Sequence, residues 1–140
     1  MIAIWTNQLS VGNRLIDSAH EDILGKLNRI GHLVGTGDRA ALPEALKLLE
    51  ECLHACFEVE ERIAQAINFD FSRHKLAHQH LLNDFQRKAK ILTTQGDAWD
   101  EEEGNAFVTH LVKSVIQHIK MEGMVMKPVL DTHYYDFNPG

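Results

Sequence analysis

The chain has 140 residues, of which 44% are hydrophobic and 24% charged, so it is long enough for one domain with a hydrophobic core. Its formal net charge of −6 disfavours nucleic acids and anionic membranes as partners, since both need a basic surface. No apolar run is long enough to span a bilayer, and the N-terminus lacks the features of a signal peptide, so we expect one cytoplasmic domain over residues 1–140.

Two helices are predicted in the first half of the chain, after an N-terminal arm. Residues 1–15 show no helical period, so we expect this arm to be extended. Asp17 or Ser18 is expected to cap the first helix, which should end at the glycine-containing break 35–38. A second helix is predicted over about 41–67, because apolar residues recur there every three or four positions.

Two further helices are predicted in the second half. A turn at 68–70 precedes the third helix, with Ser72 as a candidate cap, and the segment 95–97 ends that region. The fourth helix is expected to begin near Asp100, and Pro128 should limit its extension. Because the connections are short, neighbouring helices should be antiparallel. The predicted fold is all-α, an up-down-up-down four-helix bundle with an N-terminal extended arm.

Ionisable side chains interrupt the apolar stripe of every predicted helix. They are His20, the pair Cys56 and Glu60, the pair His74 and His78, and the pair His118 and Glu122. The i,i+4 spacing places both members of a pair on one helix face. A buried carboxylate is costly unless something neutralises it, and no Lys or Arg occupies these central layers. Imidazoles and carboxylates from four helices are typical of a two-metal site in a bundle, with iron as the leading candidate.

The other histidines, the methionines and the cysteines receive structural interpretations. The histidines expected at the surface or rim are His32, His54, His80, His110 and His133. Met121, Met124 and Met126 are expected to fill gaps in the core or to pack at the helix end. Cys52 lies one turn from Cys56, where a disulfide would be awkward, so both are expected to be reduced thiols.

Short motifs occur in a characteristic order along nearly the whole chain. They are Trp5 with Ser10-Val11-Gly12, Ile16-Asp17-x-x-His20, Phe57 with Glu60-Glu61, His74-Lys75-x-x-His78, and His118-Ile119 with Pro128. Each motif alone is weak, but the ordered set is specific. In this set the chain resembles the hemerythrin family, in particular the single-domain bacteriohemerythrins.

The resemblance implies a non-haem diiron protein that binds dioxygen for storage, delivery or sensing, without turnover. His74, His78 and His118 would bind one iron, His20 would bind the second, and Glu60 would bridge the two. The ions would also share an oxo or hydroxo bridge, and dioxygen would be the ligand. No protein partner is implied.

Two positions depart from the family pattern. Cys56 stands where the family has a histidine on the second iron. Gly123 stands where hemerythrins place a bridging Asp, while Glu122 resembles the His-x-x-x-Glu ending of hemerythrin-like cation-binding domains and could reach the bridging position. A second register would use His54 and Glu58 in place of Cys56 and Glu60, which restores a His-x-x-x-Glu pair but leaves the apolar stripe.

These departures keep other functions open, and whether the protein is an enzyme is not decided by the residues. A thiol near the metals and the Glu122 ending favour a diiron oxidase, a peroxidase or an iron-repair protein. Because a soft thiolate favours zinc or a mononuclear iron, a degenerate bundle with one metal, or with another cofactor, is the third alternative.

Overall fold

Four helices make up most of the chain. The computed structural model describes residues 3–95 and 99–140. The helices are α1 (Arg14–Thr36), α2 (Leu42–Ala66), α3 (Ser72–Thr94) and α4 (Glu101–Leu130), and a short 3-10 helix spans Asn7–Leu9. Over the described ranges there is no β-strand, and the predicted all-α four-helix bundle is confirmed. None of these helices is long and apolar enough to cross a membrane.

The helices pack in a ring, in which each contacts the two beside it: α1 and α3 both lie against α2 and α4. Two clusters of buried apolar residues fill the interior, a larger and a smaller one. Along α1, Ile16 belongs to the smaller cluster and Ile23 to the larger, with the buried His20 between them. Glu60 on α2 and Glu122 on α4 occupy the same intermediate position. A polar layer therefore separates two apolar ones.

The start of α1 differs from the prediction. Asn13 is the capping residue, because its side chain accepts hydrogen bonds from the backbone at the start of the helix, so the expected caps Asp17 and Ser18 are wrong. Asp17 is buried inside the first turn, where its carboxylate accepts hydrogen bonds from Ser10 Oγ (2.5 Å) and from the Tyr135 hydroxyl (2.9 Å). Its short polar side chain ties the N-terminal arm and the C-terminal tail to α1 instead of capping the helix.

The predicted breaks between the first three helices agree with the structure. Gly37 follows α1 with φ of +71°, a left-handed conformation that ends a helix and that glycine adopts without strain. The bounds of α2 fall within one residue of the predicted range. Asp70, within the predicted turn, accepts hydrogen bonds from the Ser72 backbone (3.1 Å) and hydroxyl (2.7 Å). Ser72 is thus the first residue of α3 rather than its cap.

The start of α4 agrees with the prediction, and its end does not. The helix begins beside Asp100, in agreement with the prediction, and Asp100 caps it in a capping box with Glu103. The helix runs through Pro128 to Leu130, two residues beyond the predicted limit, and it does so without the hydrogen bond that residue 128 would otherwise donate to the Met124 carbonyl. Of the predicted break at 95–97, residues 96 and 97 lie outside the described part of the chain.

The buried face of α4 is rotated from the predicted one near its end. Met126 is fully buried, but Met121, Met124 and Val125 are exposed by 58%, 79% and 52%. The core-filling interpretation is therefore wrong for Met121 and Met124. The step of four residues from Glu122 leads to Met126, so Val125 turns towards solvent.

Candidate metal site

Side chains from all four helices meet in the polar layer. They are His20 from α1, Cys56 and Glu60 from α2, His74 and His78 from α3, and His118 and Glu122 from α4. All are buried except His118, whose side chain is 13% exposed. The helical period explains the convergence, since each of these residues lies on the apolar stripe that its helix turns inward.

Two carboxylates occupy the centre of the layer. Glu60 approaches the Nε2 atom of His20 with Oε1 (2.7 Å) and that of His78 with Oε2 (2.8 Å). Glu122 places Oε1 beside the Nε2 atoms of His78 (2.6 Å) and His118 (2.5 Å), and its Oε2 lies 3.2 Å from His20 Nε2. Each carboxylate therefore has one oxygen towards His20 and the other towards the imidazoles of α3 and α4.

The layer consequently has two poles that share a carboxylate. At the first, which we call the imidazole pole, one ligand atom from each of Glu60, His78, His118 and Glu122 lies within 4.8 Å of the others. At the second, the thiol pole, the same holds for His20, Cys56 and Glu60. The Cys56 thiol donates a hydrogen bond of 3.5 Å to Glu60 Oε1, the same oxygen that meets His20.

His74 lies beside the imidazole pole rather than in it. Its ring centre is 6.4 Å from that of His78. The ring stacks on Phe71 and meets the edge of Phe69, with centres 5.3 and 5.2 Å away. Burial lowers the pKa of His74, which favours the neutral imidazole. The neutral ring is the form that can bind a metal ion, but in this position it does not join the group around Glu122.

Some buried polar atoms of the site have no well-aligned hydrogen-bond partner among the described residues. The Nε2–H of His78 donates its one proton to Glu122 Oε1. Glu60 Oε2, which also lies near that nitrogen, is therefore left without a donor. Glu122 Oε2 and His118 Nε2 are likewise without an aligned partner. Buried atoms of this kind cost free energy unless something satisfies them. Converging nitrogen and oxygen lone pairs are suitable ligands for first-row metal ions, so the residues present fit a metal pair.

The charges of the layer hold protons on two imidazoles when no metal is bound. Burial alone would lower the pKa of His20 and of His78, but hydrogen bonds and charges from Glu122 and Glu60 outweigh it and raise both pKa values to about 9. Burial and the charge of Glu122 raise the pKa of Glu60. Burial would raise the pKa of Glu122, yet the imidazoles of His118, His20 and His78 around its carboxylate outweigh burial and hold that pKa well below the usual value.

The Cys56 thiol is a neutral donor under the same conditions. Burial, followed by the charges of Glu60 and Glu122, raises its pKa well above the usual value for a thiol. A bound metal ion would reverse this preference, because a coordinating thiol loses its proton. Cys56 is thus a hydrogen-bond donor in the metal-free layer and a potential ligand in the loaded one.

The remaining predicted residues lie away from the site. His54 and Glu58 are exposed, so the alternative register does not reach the core. His32, His80 and His110 are exposed and His133 is partly exposed. A side-chain carbon at position 123 would lie 3.7 Å from the Ser10 carbonyl oxygen. That position therefore faces the N-terminal arm, and Glu122 holds the inward position instead.

Two features of the site were not predicted from the sequence. Phe57 stacks on His78 with ring centres 3.7 Å apart and planes 6° from parallel, which fixes the orientation of that imidazole. The spacing of three residues between Phe57 and Glu60, which puts both on one face of α2, could have indicated that Phe57 contacts the site. The second feature is a cavity of about 250 Å³ between α3 and α4, lined by Phe69, Met121 and Val125 and reaching His74, His118 and Glu122. No sequence pattern indicated it.

Comparison with known proteins adds a family to this geometry. The family model described as the hemerythrin HHE cation-binding domain matches residues 11–130. Bacteriohemerythrins from three strains of Pseudomonas aeruginosa are each 24% identical to the chain over 102 residues, which cover 72% of this chain and 67% of theirs. No solved structure matches the chain at a significant level.

Proposed function

Because the chain belongs to the hemerythrin family of cation-binding domains, we propose that its buried site holds two iron ions and binds dioxygen. The observation that carries the proposal is the pair of central carboxylates. Glu60 and Glu122 each contact imidazoles on both sides, and this is the arrangement that a bridging ligand requires. The family and the relatives from Pseudomonas aeruginosa support metal binding, and the relatives' identity as bacteriohemerythrins supports the choice of iron and oxygen.

The ligands divide between the two poles. One iron would be held at the imidazole pole by His78 and His118, with His74 turning in from its position beside the phenylalanines. The second would be held at the thiol pole by His20 and Cys56. Both carboxylates would bridge and would balance much of the metal charge, which a buried site needs. Bound iron would supply the electrons for reversible oxygen binding, and the family resemblance implies that an oxo or hydroxo bridge would complete the pair.

Burial of the layer suits binding without turnover. His20, Glu60 and Glu122 are at most 2% exposed, so the residues exclude bulk water from the ions. A dry site protects the reduced metals from solvent and limits proton access, which favours release of bound oxygen over its reduction. Storage, delivery and sensing of oxygen all need this property.

A second candidate is an oxidase, a peroxidase or an iron-repair protein, and one observation favours it. Cys56 places a thiol 3.5 Å from Glu60 Oε1, where relatives with a histidine would have a harder ligand. A thiolate donates more charge to iron than imidazole does, which lowers the potential and favours irreversible oxidation. The thiol is also itself oxidisable.

Metal analysis combined with optical spectra tests the proposal. The chain is loaded with iron without oxygen, counted for iron, exposed to oxygen and then freed of oxygen over several cycles. Two irons per chain with a reversible spectral change support oxygen binding. One metal ion, or none, overturns the diiron site. Two irons that consume oxygen irreversibly support the second candidate instead.

A further inference from the structure

The cavity between α3 and α4 extends from the protein surface to the imidazole pole. At its outer end Met121 and Val125 are exposed by 58% and 52%. At its inner end Glu122 is 2% exposed, and the His118 side chain is 13% exposed. A solute that enters from the surface therefore reaches ligand atoms of the imidazole pole without crossing the packed core.

Side chains that can bind a metal ion follow the cavity inward. The exposed carboxylate of Asp70 lies at the outer end, His74 lines the wall, and His118 and Glu122 lie at the inner end. Imidazole and carboxylate are both ligands of divalent first-row ions. An ion that leaves bulk water needs a replacement for each water it loses, because an uncompensated charge is strongly disfavoured inside a protein. The cavity offers such replacements in succession.

The volume suits an ion that still carries part of its water. One water molecule takes about 30 Å³ in the liquid, so a cavity of about 250 Å³ holds an ion with several waters. The ion can therefore exchange water for protein ligands stepwise inside the cavity.

His74 occupies the position that an intermediate ligand needs. Its ring lies beside Phe69 and Phe71, with centres 5.2 and 5.3 Å away, and its centre is 6.4 Å from that of His78. The contacts with the phenylalanines are apolar, and the cavity beside the ring leaves room for it to turn. The imidazole can thus take an ion in the cavity and turn with it towards His78.

We propose that metal ions enter and leave the buried site through the α3–α4 cavity, and that His74 transfers them to the imidazole pole. The inference rests on the metal binding of the proposed function and requires neither iron nor dioxygen. His20 and Cys56 are each 1% exposed and are not among the residues that line the cavity. The thiol pole is therefore filled after the imidazole pole, across the Glu60 carboxylate that both share.

A blocking variant tests the route. Ala77→Trp adds a large ring to the wall of the cavity at an exposed position, whereas Leu76→Trp adds the same ring outside the cavity. The probe is cobalt(II), whose visible absorption changes when imidazole and carboxylate replace water. Stopped-flow absorbance follows its uptake by the metal-free full chain and its release to excess chelator.

Uptake and release should both slow severalfold in Ala77→Trp, by the same factor, because an obstacle on the path raises the barrier in both directions and leaves the dissociation constant unchanged. Leu76→Trp should match the parent chain. Rates in Ala77→Trp equal to those in Leu76→Trp would overturn the route.

The transfer role of His74 has its own test, with His78 as the matched residue one turn along α3. His78 belongs to the imidazole pole but does not line the cavity. Loss of a ligand from the final site alone speeds release, so His78→Ala should release cobalt(II) faster and take it up at the parent rate. His74→Ala should slow uptake severalfold. Faster release from His74→Ala with uptake at the parent rate would overturn the transfer role.

The charges at the mouth give a test that leaves the site itself unchanged. Asp70→Asn should slow cobalt(II) uptake and Arg73→Gln should speed it, with both effects fading at high salt. Asparagine keeps an oxygen for the hydrogen bonds that Ser72 donates to Asp70, so α3 should still begin normally. Uptake that is unchanged in both variants would place the entrance elsewhere.

These measurements separate failure of the inference from failure of the proposed function. If the chain binds no metal, the proposed function fails. If metal binds but the cavity variants leave its uptake and release unchanged, the route is overturned and the proposed function stands. If the cavity variants change uptake as expected but the iron-loaded protein binds no oxygen, the route stands and the proposed oxygen binding fails.

Discussion

The two poles of the site share the Glu60 carboxylate but differ in their other ligands. The imidazole pole offers His78 and His118, with His74 close by, and opens to a cavity. The thiol pole offers His20 and Cys56 and lies sealed in the core. Because Glu60 belongs to both poles and Glu122 also approaches His20, a difference between two bound ions would come mainly from the imidazoles and the thiol. If the proposed metal pair binds, we expect the two ions to differ in affinity.

The two poles also differ in how they would hold an ion. Phe57 stacks on His78 and holds its ring, so an ion at the imidazole pole would meet an oriented ligand beside the cavity. An ion beside Cys56 would have fewer nitrogen ligands, so its affinity would depend more strongly on Glu60. Changes to the shared residues should affect both poles, and changes to the others should affect one.

The largest expected effect follows from removing a shared carboxylate charge. Glu60→Gln keeps the side-chain volume but removes the negative charge between the poles. Even residues that only support metal ligands change affinity by about 10- to 100-fold, so loss of a bridging ligand should exceed about 100-fold. Both ions should be lost together, as measured by metal content after dialysis.

Glu58→Gln is the matched control, because it changes the same residue type on the exposed side of the same helix. Its metal content should equal that of the parent chain. Loss of metal in Glu58→Gln with retention in Glu60→Gln would mean that the second register, with His54 and Glu58, is the working one.

Metal removal should lower the free energy of unfolding. The difference in stability between the metal-loaded and metal-free protein should widen as the pH rises. A ligand at about 100 times its dissociation constant adds about 2.7 kcal/mol to the native state. The raised pKa values of His20 and His78, about 9, mean that their stabilising contribution in the metal-free chain is complete below pH 6.5 and fades as the pH rises through 9. Metal binding also requires these protons to leave, so it strengthens over the same interval.

Melting temperatures of the loaded and metal-free protein between pH 6.5 and 9 measure this gap. A difference that is constant with pH, or that narrows towards pH 9, would contradict proton release from the two imidazoles. The heat of metal binding, measured in buffers of different ionisation enthalpy, would directly count the protons that are released.

A change far from both poles should affect the fold and leave the metal unaffected. Gly104→Ala would place a carbon 2.5 Å from the Trp99 ring and 2.8 Å from Val34, which forces the packing at the start of α4 to shift. Overpacking of this kind costs about 1–3 kcal/mol. Chemical denaturation should detect this loss, with unchanged metal content. Gly25→Ala should be neutral or stabilising, because the added side-chain carbon would contact no neighbouring side chain or other segment within 4 Å.

The smallest expected effect separates the poles most sharply. Cys56→His replaces the thiol by the ligand that the family has at this position, and imidazole suits iron well. The second ion should bind about 10-fold more tightly, or about 1.4 kcal/mol, and oxygen binding should become more reversible. Titration with iron in the absence of oxygen, followed by optical spectra, measures both.

Cys52→Ser is the control, since Cys52 is partly buried one turn away and belongs to neither pole. The larger histidine ring strains a packed core, so the melting temperature of Cys56→His must first show that it is folded. Metal content, spectrum and oxygen response identical to the parent would place Cys56 outside the working site.

Much of the bundle could be predicted because its stripes follow a regular period. A helix repeats every 3.6 residues, so His20, Glu60, His78 and Glu122 could be assigned to inward faces without knowledge of the partners. Local sequence also supported the bounds of α2 and the start of α4 near Asp100. These features depend on local sequence, which is why they could be predicted.

The errors involve contacts between segments far apart in the chain. Asp17 looks like a cap locally, but Ser10 and Tyr135 recruit its carboxylate from the two ends of the chain. The outward position of Met121 and the placement of His74 between two phenylalanines depend on how α3 and α4 approach each other. Periodicity says which face is apolar, but it cannot say where two such faces leave a cavity.

Stepwise iron titration of the metal-free chain, followed by native mass spectrometry and by optical spectra, tests the central claim most directly. The account predicts two binding steps of unequal affinity, with a sulfur-to-iron charge-transfer band appearing only in the second. A single step, equal affinities, or such a band at the first step would contradict two poles that share Glu60 and differ in their other ligands.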